Sequence, residues 1–263
     1  MNFLLVVNKS LRVVDFIDIH SLQQNDEKSF LNTLIIMAGG KGIRLRPYTL
    51  KNPKPLMLIR NKISILEHII NSSFENGLKN IFVIVNYLSN KISNKIKNIK
   101  KYQGYVNIIK ENKQLGTIGG ISLIRKQKLN FPIIVINGDV VSDINLESLI
   151  NFHKSMSNNI TVVLKPIEKH SSFGEISLKR YQITNIEEKV IKTSFINAGI
   201  YCLDENVYDY IRKKKTKLSM DSLIKDTINK KFKVGGYPMM EFWMDIGNKV
   251  NLDKIRNIFK KKI

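Results

Sequence analysis

Thr33-Leu34-Ile35-Ile36-Met37 runs without a break into Ala38-Gly39-Gly40-Lys41-Gly42-Ile43-Arg44-Leu45-Arg46-Pro47. A short apolar run that stops at glycine reads as a buried strand. The glycines let consecutive backbone N–H groups curl around phosphate oxygens with no Cβ in the way. Arg44 can add a fork of donors to the same oxygens. Taken alone, a glycine-rich turn at a strand end is equally well just a tight turn. It is not a P-loop, because no Gly-x-x-x-x-Gly-Lys-Ser/Thr is present. Nor is it a dinucleotide fingerprint, because Leu45 stands where the third Gly would be.

Outward from this stretch, similar apolar runs recur at Ile81–Asn86, Val106–Lys110 and Ile133–Asn137. Between and after them, Ile65–Glu75 and Asn90–Lys100 carry helical spacing, and Asn145 is placed to cap a helix over Leu146–Met156. Strands alternating with helices predict an α/β domain with a mainly parallel sheet. Further on come strands at Ile160–Lys165, Gly174–Leu178 and Phe195–Leu203, then helices at Glu205–Lys213, Met220–Lys230 and Leu252–Ile263. The start differs. Phe3–Val7 and Leu11–Ile17 read as a hairpin around Asn8-Lys9-Ser10, followed by a polar linker at Gln23–Ser29. The expected division is residues 1–30 as hairpin and linker and 31–263 as the main domain.

Composition narrows the setting. The chain has 263 residues, 43% hydrophobic and 25% charged, enough for one sizeable core. Its 43 Lys+Arg against 22 Asp+Glu give +21. The basic residues are mostly lysines scattered among Asn and Ile, such as Lys91, Lys95, Lys97, Lys100 and Lys101. That is a solvated surface with a weak attraction for phosphorylated ligands, not an Arg-rich stripe for nucleic acid. Cys202 is the only cysteine, so no disulfide can close within the chain, as suits a reducing cytosol. Phe3–Val7 is too short for a signal segment or a membrane span. The expectation is a cytoplasmic protein with neither nucleic-acid nor membrane partners.

The glycine loop becomes specific when Pro53-Lys54-Pro55-Leu56 is added at its offset. Gly-Gly-x-Gly-x-Arg-Leu-x-Pro followed by Pro-Lys-Pro resembles the signature of the sugar-1-phosphate nucleotidyltransferases, the family of glucose-1-phosphate thymidylyltransferases and mannose-1-phosphate guanylyltransferases. The resemblance extends from about Thr33 to Asp253. It implies that Ala38, Gly39, Gly40 and Gly42 hold a nucleoside triphosphate, and that Arg44 and Lys54 act on its phosphates at the reacting centre. Asn137-Gly138-Asp139 closes a strand, where open α/β sheets place ligand groups. Trp243-Met244-Asp245-Ile246-Gly247 matches a second family motif. Either aspartate could be a turn residue or a cap; the family context makes Asp139 and Asp245 ligands of Mg²⁺, an ion that takes carboxylates, phosphates and water.

Phe173-Gly174-Glu175-Ile176 and Glu187-Glu188-Lys189 resemble the segments that hold the sugar phosphate in that family. Gly174 would meet a sugar hydroxyl through its backbone, Glu188 would accept sugar hydroxyls, and Lys189 would grip the phosphate. Val190 follows where the family usually has Pro, which alters loop stiffness. Read without the family, Glu188 and Lys189 are a solvated turn. Asn197-Ala198-Gly199-Ile200-Tyr201 matches the strand that lines the sugar pocket, with Asn197 facing it. Glu111-Asn112-Lys113-Gln114-Leu115-Gly116-Thr117 resembles the base-reading segment. There Glu111, an acceptor-only carboxylate, suits the two adjacent donors of guanine, with Gly116 and Thr117 close to the base. The plain alternative leaves Glu111 at a strand end pointing at water.

The resemblance implies a Rossmann-like α/β nucleotidyltransferase domain with a mixed, mainly parallel central sheet and no C-terminal β-helix. It implies transfer of a nucleoside monophosphate, GMP from GTP by the Glu111 argument, to a sugar 1-phosphate. The product would be a nucleotide-sugar for surface polysaccharide or glycan synthesis, with pyrophosphate released. A homo-oligomer is compatible with it. The N-terminal hairpin resembles the closing part of a cystathionine-β-synthase-type module, as found before amino-sugar guanylyltransferases of legionaminic acid synthesis; an edge hairpin on the main domain is the simpler reading. Four rivals stay open: a thymidylyl- or uridylyltransferase on glucose 1-phosphate, a molybdopterin or cytidylyl transferase, an inactive sugar-nucleotide sensor or scaffold on the same fold, and a nucleic-acid-binding protein.

Overall fold

The computed structural model describes residues 3–7, 13–18, 30–170, 173–188, 191–214 and 216–261. Strands β1 (Phe3–Val7) and β2 (Val13–Asp18) pair antiparallel as a separate two-stranded sheet. The expected turn at residues 8–10 and the linker at 23–29 lie outside the described residues.

The predicted strand at the glycine loop is the last part of β3 (Phe30–Met37). Chain order then continues through helix α1 (Tyr48–Lys51), β4 (Leu58–Arg60), β5 (Ile63–Ser64), α2 (Ile65–Glu75), β6 (Leu78–Val85), α3 (Ser89–Lys97) and β7 (Val106–Lys110). After these come β8 (Ile133–Asn137), β9 (Val140–Ser142), α4 (Leu146–Ser155), β10 (Ile160–His170), β11 (Glu175–Lys179), β12 (Gln182–Glu187) and β13 (Ile191–Leu203). The last elements are α5 (Glu205–Lys214), α6 (Met220–Asn229), β14 (Val234–Pro238), β15 (Trp243–Asp245) and α7 (Lys249–Lys261).

Seven strands form one sheet in the order β14-β10-β13-β8-β3-β6-β7. Strands β3, β6, β7 and β8 are parallel, β13 is antiparallel to both of its neighbours, and β14 is parallel to β10. Only β13 therefore runs against the rest: the sheet is mainly parallel, as the alternating pattern predicts, and mixed, as the family resemblance implies. No β-helix occurs among the described residues.

The apolar runs are continuous because the central strands are covered on both faces. Leu34 and Ile36 of β3 enter one core with α2, α4 and α7, while Ile35 between them enters the other with Tyr208 of α5 and Leu223 of α6. All three are fully buried. Helix starts follow local chemistry. Asn145 Oδ1 accepts from Ser148 N at 2.9 Å, the predicted cap of α4. Ser64 and Glu67 form a capping box at α2. His153 of α4 is buried against Thr161, with 2.9 Å between Nδ1 and Oγ1; burial lowers its pKa to about 4.

Two expected strands are longer than read. The outer halves of β10 and β13 continue to His170 and from Ile191, pairing only with each other and leaving the sheet as a ribbon. Next to it in sequence, β11 and β12 form a hairpin whose turn, Arg180-Tyr181, has positive φ at both residues. That geometry favours a tight two-residue connection even without the usual Asn-Gly.

Candidate active site

The glycine loop leaves the carboxyl end of β3 at the point where β8 and β6 flank it, the place where open α/β sheets bind ligands. Ala38 N donates to Ile84 O at 2.8 Å and Gly138 N to Met37 O at 2.9 Å, so three strand ends are tied together. Gly42 has φ 61°, a left-handed turn that starts the short helical turn Ile43–Leu45 and leaves Arg44 exposed above the loop. Pro53 then opens a second short turn, Lys54–Leu56, which holds Lys54 at 8% exposure.

Lys54 points at two acids from well-separated parts of the sequence, Asp139 after β8 and Asp245 at the end of β15. Strands β9 and β15 pair so that Val140 faces Asp245, and Ile246 N donates to Asp139 O at 2.9 Å. This places Asp139 and Asp245 side by side although they are far apart in sequence. Lys54 Nζ donates to Asp139 Oδ2 and lies 3.8 Å from Asp245 Oδ1. Asp245 Oδ1 is buried and has no hydrogen-bond partner. Burial, and then repulsion from Asp139, push the Asp245 carboxyl above its ordinary value, against the pull of Lys54 and Arg44. Trp243 Nε1 donates to Ala198 O at 2.8 Å, and Asn251 Nδ2 to Asp245 O at 2.6 Å. Asn251 thus holds the Asp245 backbone directly, and Trp243 anchors the start of its strand.

A buried carboxylate oxygen without a donor, beside a second carboxylate, fits a hard divalent cation. No group of three or more His, Cys, Asp or Glu side chains with metal-binding spacing occurs among the described residues. Two protein carboxylates would then leave most coordination positions to phosphates and water, as Mg²⁺ prefers.

One cavity of about 350 Å³ joins these groups to the segment after β7. Ala38, Gly39, Gly40, Lys54 and Asp139 line one part, and Glu111, Gly116 and Thr117 another. Seven of the expected triphosphate and base residues, together with one expected metal ligand, thus share a single space. Glu111 is 4% exposed, which removes the reading that it ends β7 pointing at water. Its Oε1 has no partner and packs where a side chain on Gly120 would be, while Oε2 lies beside Gly39. Burial raises its pKa, against a hydrogen bond from the Leu115 backbone. Gly116 has φ 92°, and a Cβ there would lie 2.3 Å from Leu218 O. The Thr117 side chain is engaged structurally, its Oγ1 accepting from Met220 N at 2.8 Å.

The cavity also reveals walls that carry no motif. Gln114, Lys217 and Ser219 line it, the last two from the connection between α5 and α6, about a hundred residues after Glu111. Nothing in the local sequence marks Lys217 or Ser219.

The sugar-side residues are placed differently. Gly174 precedes β11 and Glu188 follows β12; they face each other at the base of the hairpin, both exposed. Asn197 Oδ1 accepts from Gly199 N at 2.9 Å on β13. None of these three lines the 350 Å³ cavity. Lys189 lies outside the described residues.

Comparison with known proteins gives the family and the fold. The nucleotidyl transferase family model matches residues 33–261. The chain is 32% identical over 223 residues to a probable mannose-1-phosphate guanylyltransferase 2 of Oryza sativa subsp. japonica, covering 81% of this chain and 60% of that protein. It is 31% identical over 220 residues to the mannose-1-phosphate guanylyltransferase catalytic subunit beta of Xenopus tropicalis, with the same coverage. The chain thus spans about 60% of the length of these curated relatives. Among solved structures, a putative glucose-1-phosphate thymidylyltransferase from Bacillus anthracis shares the fold at a TM-score of 0.68 and 20% identity, over 87% of this chain and 95% of that one. HddC from Yersinia pseudotuberculosis, complexed with GMP-PN, does so at 0.66 and 22%, over 87% and 100%. With a match running through the glycine loop, both aspartates and the last helix, the chain belongs to the nucleotidyl transferase family.

Proposed function

We propose that this protein transfers GMP from GTP to a sugar 1-phosphate, giving a nucleotide-sugar for glycan synthesis and pyrophosphate. The observation that carries the reading is the convergence of Lys54, Asp139 and Asp245 beside the glycine loop, at one end of a cavity whose other wall is Glu111. The chemistry is an in-line attack by a phosphate oxygen of the sugar 1-phosphate on the α-phosphorus, with pyrophosphate leaving. A phosphate monoester is largely dianionic near neutral pH, so the nucleophile needs no general base, and catalysis rests on positioning and charge neutralisation. In this reading the backbone of Gly39, Gly40 and Gly42 and the guanidinium of Arg44 orient the triphosphate. Lys54 neutralises charge at the reacting phosphate. Asp139 and Asp245 would hold Mg²⁺, which when bound supplies further positive charge at the phosphates.

Glu111 supports the base assignment. A buried carboxylate in the cavity wall favours a ligand edge rich in N–H donors, and guanine offers two adjacent ones. The sugar phosphate is assigned to Gly174, Glu188, Lys189 and Asn197 on the family resemblance. Residues 1–30 stay outside the catalytic unit in this reading; the family match begins at residue 33. A cytosolic setting accords with a single, buried cysteine. Among the described residues no helix is long and apolar enough to cross a membrane.

The test is pyrophosphate release from purified protein across GTP, ATP, UTP, CTP and dTTP, each with mannose, glucose and amino-sugar 1-phosphates, with and without EDTA. We expect release with GTP that EDTA stops. Full activity in EDTA, or no release with any pair, sinks the reading. A preference for dTTP or UTP, or an unchanged base preference in Glu111→Gln, sinks only the guanine part.

A further inference from the structure

The connection between α5 and α6 reaches the cavity by being stitched to the base-reading segment, one backbone against the other. Leu218 N donates to Leu115 O at 2.9 Å, Ile118 N to Leu218 O at 3.2 Å, and Met220 N to Thr117 Oγ1 at 2.8 Å. Gly116 is in contact with the Leu218 backbone, too close for any side chain to intervene. Lys217, the residue before this stitched pair, is thereby held in the wall of the cavity that Glu111 also lines. It makes no hydrogen bond or ion pair among the described residues, so its three ammonium donors remain for a ligand. Asp221, in the first turn of α6, is the nearest acid along the chain and lies outside the cavity wall.

The lining of the cavity therefore includes two unlike groups, the acceptor carboxylate of Glu111 and the cationic side chain of Lys217. A nucleobase that satisfies both needs ring N–H donors and a keto oxygen on one edge. Adenine presents an amino group beside a bare ring nitrogen and cytosine does the same. Uracil and thymine have a single N–H between two keto oxygens, one of which would face the carboxylate. Guanine has O6 next to N1–H and the N2 amino group, so the ammonium can donate to O6 while the carboxylate accepts from the other two.

We propose that Lys217 is a specificity-determining residue of the nucleotide cavity and reads the 6-keto oxygen of guanine. The inference rests on the guanylyl-transfer reading above and adds a second base contact that no motif marks. Its test is kcat/KM for GTP, ATP and 2-aminopurine riboside triphosphate, which keeps the 2-amino group and lacks both O6 and the N1–H, in wild type, Lys217→Ala and Lys217→Gln. For a lost charge-assisted contact, Lys217→Ala should lower kcat/KM for GTP by about tenfold and leave ATP and the 2-aminopurine nucleotide within about twofold. Lys217→Gln, which keeps a neutral donor, should recover part of the loss. Thermal melts should match wild type, since Lys217 is an exposed loop residue. An equal loss with every nucleotide would make Lys217 a ribose or phosphate contact and overturn the proposal, as would no loss with GTP. A wild type that prefers dTTP or UTP overturns the guanine reading itself, and this shows before any variant is made.

Discussion

The nucleotide half and the β11–β12 hairpin carry equally clear motifs and are built in opposite ways. Around the glycine loop, Leu34, Ile36, Val83, Val85 and Ile136 are all nearly or fully buried, and the site hangs on the ends of those strands. In the hairpin, Ile176 and Ile186 face each other across the ladder, as do Leu178 and Ile183, and all four are more than half exposed. A two-stranded ribbon has no sheet behind it to shield an apolar face. Geometry in the first region is thus dictated by packing, and a displaced atom costs stability as well as activity. In the second, side chains can be changed with little energetic consequence, and under the proposed function any penalty should appear only in sugar-phosphate binding.

The contrast can be broken most directly at the acids. Asp245→Asn keeps the volume and removes the charge, and turnover should fall by roughly a hundredfold or more with the fold intact, the scale of losing a central electrostatic contact. A variant with near wild-type turnover would dissolve the two-carboxylate argument. Gly116→Ala comes next. It forces a side chain into a left-handed position against Leu218 O, and the strain and overpacking should cost roughly 2–4 kcal/mol in urea melts. A melt unchanged from wild type would mean that the two segments are not stitched as described.

The pH dependence of stability tests the packing of the same half. His153 is neutral in the fold with a pKa lowered to about 4, below its ordinary value near 6.5. A depressed histidine contributes fully above the unfolded value and loses that contribution as pH falls toward the folded one. Stability should therefore drop by about 3 kcal/mol at most between about pH 6.5 and 4, and His153→Gln should flatten that window. A slope that survives the substitution would assign the effect to other groups.

The smallest effects belong to the proposed sugar side. Lys189→Ala should raise KM for the sugar phosphate about tenfold and leave KM for GTP nearly unchanged, the loss expected of one charged contact. Equal effects on both substrates would return Lys189 to surface charge. Ile183→Lys should shift stability by no more than about 0.5 kcal/mol, as for other exposed substitutions. A larger destabilisation would show that the apolar face of the hairpin is covered in solution.

Much of this was legible one residue at a time. The run Thr33–Met37, the cap at Asn145 and the helix Ile65–Glu75 stand where local pattern places them, because burial on both faces and capping act over neighbouring residues. Missed elements, such as β9 and β15, are three residues long and have no periodicity to detect. Strand β14 reads as Val-Gly-Gly-Tyr-Pro, glycines and a proline that fit a sheet edge better than any strand propensity.

Sequence by itself determined the fold class and the family, and it singled out the residues proposed to hold the phosphates, since chemistry at fixed spacing is local information. Tertiary structure alone decided three things: that Asp139 and Asp245 meet over Lys54, that Glu111 is buried with an unpartnered oxygen, and that Lys217 joins its cavity. Each of these depends on strand order and on contacts between segments apart in the chain, about a hundred residues for the first and the last, and chain spacing carries no record of either.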